Sequence, residues 1–154
     1  MKALFCQQFG PIADLVVTDV PAPPLAPGKV LIDVKAASLN FPDALMVQGL
    51  YQVKPPTPFV PGAEYAGVVA AVGDGVSHVT VGDRVMAFTG WGGFAEQAVA
   101  DAMRVSPMPP SMSFEQGASF VLTYATSHHA LKDVAKLQAG ETLLILGASG
   151  GVGT

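Results

Sequence analysis

The chain has 154 residues, half of them hydrophobic and 13% charged, with a net charge of −4. That much apolar material supports a packed core and excludes a disordered chain, and the lack of any basic block excludes a nucleic-acid binder's electrostatic footprint. The lone Cys6 excludes an internal disulfide framework and a multi-cysteine zinc site, and reads as a packed residue of the first strand. Apolar runs are short and broken by Gly, Pro or charge, and the N-terminus lacks the long apolar region of a signal peptide. No membrane association is expected, and a cytoplasmic location is the default.

Lys2 to Gln7 and Leu15 to Val20 read as a first hairpin around Gly10-Pro11, followed by an extended, proline-rich connection from Pro21 to Pro27. In Lys29 to Ala36, Val30, Ile32 and Val34 alternate with Leu31, Asp33 and Lys35, which predicts a strand with one face in the core, ended by Asn40. Phe41 to Gln48 predicts a short helix. Pro42 stands near its first turn, where a missing N–H costs nothing, Asp43 is favoured there by the helix dipole, and Gly49 stops it. A proline-stiffened loop then delivers Gly62 to Gly67 into a long apolar strand ending at Val72. Val76 to Val81, Arg84 to Phe88 and Phe94 to Val99 continue the β pattern between glycine-rich turns, and Met103 to Ser106 closes it. Asp43, Asp83 and Arg84 read as turn or capping residues.

At Ser113 the period becomes helical, and Ser113 with Gln116 has the spacing of a capping box. Phe114 to Val121 and Tyr124 to Leu137 predict helices broken near Leu122-Thr123. Leu143 to Leu146 predicts a strand buried on both faces of a parallel sheet, running straight into Gly147-Ala148-Ser149-Gly150-Gly151-Val152-Gly153. In dinucleotide-binding folds such a turn offers free N–H groups and a helix N-terminus to a pyrophosphate, with Thr154 in the first turn of that helix. The same glycines also fit a plain strand-to-helix turn. The expected fold is therefore mainly β, a partly open barrel followed by helices and the first βα unit of a nucleotide-binding domain.

The segments Ala37-Ser-Leu-Asn-Phe-Pro-Asp43, Pro61-Gly-Ala-Glu-Tyr-Ala-Gly67, Val81-Gly-Asp-Arg-Val85, Gly93-Phe-Ala-Glu96, Leu137-Gln-Ala-Gly-Glu141 and Gly147 to Gly153 follow one another in a recognisable order. Together they resemble the zinc-independent, zeta-crystallin-like quinone oxidoreductase branch of the medium-chain dehydrogenases and reductases. The resemblance spans the whole chain. It implies a GroES-like catalytic domain over residues 1–122 and the truncated start of a Rossmann NAD(P)-binding domain over 123–154. The implied activity is hydride transfer from NADPH to quinones or other α,β-unsaturated carbonyls by a complete, homodimeric protein. The present residues alone are expected to be inactive.

On the same resemblance Asn40 and Tyr51 line the active site, the first as an amide donor or orienter, the second as a donor or a stacking ring. Thr126 matches a position beside the nicotinamide, and Gly147, Ala148, Ser149, Gly150, Gly151, Val152 and Gly153 form the cofactor turn. Each has a plainer alternative: a cap or turn for Asn40, a half-buried loop aromatic for Tyr51, a bond back to its own helical turn for Thr126. Zinc-dependent relatives carry a Cys where this chain has Asn40 and a His where it has Ala63, and neither replacement offers a thiolate or an imidazole to zinc, so no metal is expected. Glu64 reads as a buried acceptor. His128 and His129, adjacent on a helix, point about 100° apart and receive no chemistry. Two other functions fit the layout: an enoyl-thioester reductase of the same superfamily, and a non-catalytic, stand-alone GroES-like binding domain.

Overall fold

The computed structural model describes residues 1–153; Thr154, assigned above to a first helical turn, lies outside the described residues. β1 (Lys2–Phe5) and β2 (Val16–Asp19) form the expected antiparallel hairpin, joined through a 3₁₀ turn at Ile12–Asp14. Cys6 is 1% exposed and lies just past β1, bridging to Phe59. β3 (Lys29–Ala37) leads through Ser38 to Asn40 into helix α1 (Phe41–Val47). β4 (Glu64–Val72), β5 (Arg84–Phe88), β6 (Gln97–Asp101) and β7 (Val105–Pro107) complete a five-stranded antiparallel sheet in the order β6-β3-β4-β5-β7.

The period-two pattern of β3 decides the core. Val30 and Ile32 are fully buried and meet Tyr65, Val69, Val85 and Ala98 from neighbouring strands. Two register shifts between β3 and β4, at Leu31/Ile32 and Val34/Ala36, bend the sheet as bulges do. The hairpin then covers one side: Leu4 N–H donates to Phe94 O at 2.8 Å and Glu96 N–H to Lys2 O at 3.0 Å. The result is the mainly β, partly open barrel expected from the sequence, with few helices.

Three β segments of the barrel differ from expectation. The closing strand expected over Met103 to Ser106 is Val105–Pro107, because Ala102–Arg104 forms a 3₁₀ turn in which Val105 N–H bonds Ala102 O. The other two differ because their backbone groups are engaged elsewhere. Over Phe94 to Val99 the strand begins only at Gln97, since Phe94 N–H bonds Pro61 O and its carbonyl serves the hairpin. Val76 to Val81 forms no strand. Its ends are tied into turns, Val76 N–H to Gly73 O and Asp83 N–H to Thr80 O, and Val79, 2% exposed, pins the loop to the core. Arg84, read as a turn residue, opens β5 and donates to the carbonyls of Pro110 and Met112 while its guanidinium lies 4.6 Å from the Phe114 ring centroid.

After the sheet come α2 (Phe114–Ala118), α3 (Val121–His128) and a π-helical continuation at His129–Val134. The Ser113 and Gln116 capping box forms reciprocally, as its spacing predicts. The helix break falls at Ser119-Phe120, not at Leu122-Thr123. Ser119 folds back on Glu115 and Gln116 to end α2, and Leu122 N–H is received by the Glu64 carboxylate, which starts α3 earlier than its sequence suggests. Leu143 to Leu146 is not a strand either: Leu144 is 79% and Leu146 85% exposed. A strand buried on both faces needs sheet neighbours on both sides, and the described residues supply none to this segment. No helix among the described residues is long and apolar enough to cross a membrane.

Candidate functional site

The extended chain between β3 and α1 places Ser38 and Asn40 on one side, two residues apart, with Asn40 at φ −117°, ψ 150°. Asn40 N–H donates to Asp43 Oδ2 at 2.9 Å, the half of a capping arrangement that fixes the start of α1. Its side chain turns the other way, and Nδ2 donates to Ser38 Oγ at 2.8 Å. Ser38 in turn donates to Glu64 Oε2 at 3.2 Å, and Glu64 Oε1 accepts Leu122 N–H at 3.0 Å. A fully buried carboxylate thus ties the Asn40 amide, the end of β3 and the first turn of α3 into one network.

Burial pushes the Glu64 carboxyl above the ordinary glutamate range, opposed by the N–H groups of Leu122 and Val121 and by the Ser38 and Asn40 side chains. Asp43, 4% exposed, is likewise raised by burial, against N–H donors from Asn40, Ala63 and Gly62. Its second oxygen accepts Ala63 N–H at 2.9 Å, so both oxygens are occupied. Both acids are structural acceptors, as read for Glu64 and for Asp43 as a cap.

Asn40 and Asp43 also border a cavity of about 240 Å³ between the hairpin and α1. Leu4, Ile12, Leu15, Ala44, Val47 and Phe94 form its walls. Asn40 Nδ2 carries two hydrogens; Ser38 engages one, and an acceptor oxygen at this edge would compete with the Glu64 carboxylate for the other.

Tyr51 stands elsewhere. It is half-buried in the loop after α1, packed on the cluster of Cys6, Met46, Val47 and Phe59, and does not line this cavity. Thr126 Oγ1 donates to Leu122 O one turn back, the alternative its helical setting suggested. The turn from Gly147 to Gly153 lies against α3: Ser127 Oγ donates to Val152 O at 3.0 Å, and a Cβ at Gly151 would come 3.3 Å from Thr123 Cγ2. Gly147 has φ +73°, and a Cβ at Gly153 would come 2.6 Å from Gly147 O, so this compact turn requires glycine there. Bare backbone suits close approach of a pyrophosphate in residue type. The flanking strand and helix that would aim the N–H groups are absent among the described residues, where Gly150 and Gly153 N–H bond the carbonyls three residues back. His129 pairs with Asp133 on the exposed side of its helical segment, at 2.9 Å. No group of three or more His, Cys, Asp or Glu among the described residues converges in a way that could hold a metal.

Ser38 and the cavity walls were not singled out from sequence. Ser38 was findable, because two-residue spacing on an extended segment puts it beside Asn40. Leu4 and Phe94 carry no such signal; barrel closure joins them across most of the chain.

A curled antiparallel sheet closed by a hairpin and flanked by short helices defines a GroES-like domain. The family described as the alcohol dehydrogenase GroES-like domain matches residues 26–110, and the chain belongs to it. Relatives place it in the medium-chain dehydrogenase and reductase superfamily, as its motifs suggested. It is 40% identical over 155 aligned residues to the quinone oxidoreductase of Rattus norvegicus, covering 99% of this chain and 47% of that protein. It is 46% identical over 130 residues to the pikromycin polyketide synthase component PikAII of Streptomyces venezuelae, covering 84% of this chain and 3% of that protein. Among solved structures, a mycobacterial protein complexed with NADPH superposes with a TM-score of 0.91 at 35% identity, covering 99% of this chain and 47% of that one. The chain spans less than half the length of each of these relatives.

Proposed function

We propose that this chain is the N-terminal part of a zinc-independent, NADPH-dependent oxidoreductase that transfers hydride to quinones or other α,β-unsaturated carbonyls. Residues 1–122 make its GroES-like catalytic domain, and 123–154 begin a Rossmann domain completed by further chain. The observation that carries the reading is the Asn40 amide, oriented by Ser38 and Glu64 at the border of an apolar cavity. The likeness to a quinone oxidoreductase and to an NADPH-complexed structure supports it.

Asn40 holds the acceptor oxygen by a hydrogen bond that strengthens as negative charge develops there. Ser38 and, through it, Glu64 fix the position of the amide from which this bond would be made. The apolar walls exclude water from the acceptor's unsaturated face. Residues 147–153 and Thr126 would hold NADPH, which when bound supplies the hydride. Asn40 and Ala63 stand where zinc-dependent relatives place metal ligands, and reduction of an electron-poor acceptor needs less polarisation than alcohol oxidation does. Tyr51 is kept as a hydrogen-bond donor to the acceptor or a ring stacked on it, from outside the cavity beside Asn40, and the complete protein is assigned to a homodimer. The present residues alone are assigned no catalytic activity.

The test is NADPH oxidation by the complete protein with a simple quinone. Asn40→Ala should lower kcat/KM about 100-fold, the lower end of the loss on removing one oxyanion donor, and a chelator should leave the rate unchanged. Parental activity in Asn40→Ala, or strong chelator inhibition, sinks the mechanism. The similarity to a polyketide synthase component favours a second reading, an enoyl-thioester reductase; acyl-thioester acceptors outrunning quinones would select it.

A further inference from the structure

The cavity beside Asn40 is larger than a carbonyl oxygen needs, and the hydride chemistry leaves most of it unused. Its walls include Leu4 on β1, Ile12 and Leu15 in and after the 3₁₀ turn, Ala44 and Val47 on α1, and Phe94 in the loop before β6. Among the described residues Asn40 and Asp43 are the only polar side chains that line it, and both Asp43 oxygens already accept N–H groups from Asn40 and Ala63. No lysine or arginine among the described residues lines it to hold a phosphate or a carboxylate. At its rim Ile12 is 52% and Leu39 85% exposed, which extends the apolar path outward.

Resting on the function proposed above, we infer that this cavity is the specificity pocket for an alkyl substituent of the acceptor. The carbonyl stays at Asn40, and the tail runs between the hairpin and α1. The preferred substrate class is a neutral, lipophilic enone or alkyl-substituted quinone. A charged carrier arm does not enter here. About 240 Å³ falls below the ~300–1,000 Å³ of sites that enclose a whole drug-sized ligand, so the pocket takes a short chain and not a second ring system. Each methylene that enters should raise kcat/KM about fourfold, the equivalent of burying one CH₂, until the pocket is full.

The experiment uses the complete protein and a series of alkyl vinyl ketones of increasing chain length. The expected result is a stepwise rise in kcat/KM, then a plateau. Ala44→Phe, which fills the pocket from α1, should flatten the series, and Leu15→Ala should move the plateau to longer chains. Should Ala44→Phe fail to fold, the parent series and Leu15→Ala decide alone. In parallel, a saturated dialkyl ketone, which cannot be reduced at a conjugated double bond, is titrated while the amide signals of Ala44 and Val47 are followed by NMR. Shifts confined to these walls and lost in Ala44→Phe support the pocket even if no enone is reduced, in which case only the oxidoreductase reading fails. Enones reduced with no dependence on chain length, or a saturated ketone that leaves these signals unmoved, overturn the pocket while the oxidoreductase reading stands.

Discussion

Replacing Gly67 by Ala tests the sheet geometry that holds the Asn40 network together. Gly67 sits in β4 opposite Val34, next to the bulge between Val34 and Ala36. A Cβ there would lie inside the van der Waals envelope of the Asp33 carbonyl oxygen and 2.8 Å from Ile32 Cγ2. The obstruction is backbone, which cannot rotate away, so β3 and β4 must part. Overpacking a well-filled core costs about 1–3 kcal/mol, occasionally more, and each lost ladder bond adds roughly 1 kcal/mol. A total near 4 kcal/mol follows, a large share of the ~5–15 kcal/mol that holds a domain. With a urea slope of about 2 kcal/mol per molar, the unfolding midpoint should fall by roughly 2 M. Gly75→Ala is the control. Its Cβ meets open space, and only its φ of +83° is strained, which costs about 1 kcal/mol. β3 leads into Ser38 and β4 opens on Glu64, so a folded remnant of Gly67→Ala should lose protection of the Leu122 amide from hydrogen exchange. A Gly67→Ala variant within 1 kcal/mol of the parent in stability would refute the close approach on which this reasoning rests.

Burial raises the carboxyls of Asp43 and Glu64, so the folded chain binds their protons more tightly than the unfolded chain does. Their contribution is greatest below the unfolded value and is lost as pH rises through the folded one. The parent should therefore gain stability relative to Glu64→Gln as pH is lowered from about 7 to about 5, and urea midpoints falling the other way would contradict this. The Tyr65 hydroxyl is buried and meets no partner at hydrogen-bond geometry among the described residues; Thr89 lies beside it but donates to Trp91 O at 2.8 Å. Burial pushes the Tyr65 phenol up to about 12, against a smaller opposing pull from Thr89. Tyr65→Phe removes an unsatisfied polar atom and keeps the ring, so thermal unfolding should show a change within about 1 kcal/mol of either sign. A loss well beyond that would mean the hydroxyl has a partner.

The parts of this fold that sequence made legible are those whose signal is local. Alternation in β3, the Ser113 and Gln116 spacing, and Pro42 with Asp43 at the start of α1 each state their structure within a few residues. The misplaced parts depend on distant partners. Gln97 begins β6 because Phe94 serves β1 and the Pro61 carbonyl, neither visible from its own neighbours. Leu122 joins α3 because a carboxylate 58 residues earlier receives its N–H. Leu143 to Leu146 has the composition of a buried strand, and composition cannot provide the strands that would flank it. At the site, Asn40 was visible as a residue, but its orientation through Ser38 to Glu64 required the sheet to be assembled.

Cys6 gives the molecule a built-in clock. The thiol is 1% exposed, burial pushes it above the usual thiol range, and it donates to Gln8 O at 3.2 Å. The thiolate is the reacting form. A thiol reagent added to the native protein must therefore wait until the hairpin lifts from the Phe59 segment, and labelling follows the frequency of that opening. The hairpin also supplies Leu4 and Leu15 to the cavity wall, so one chemical rate reports how often the pocket comes apart.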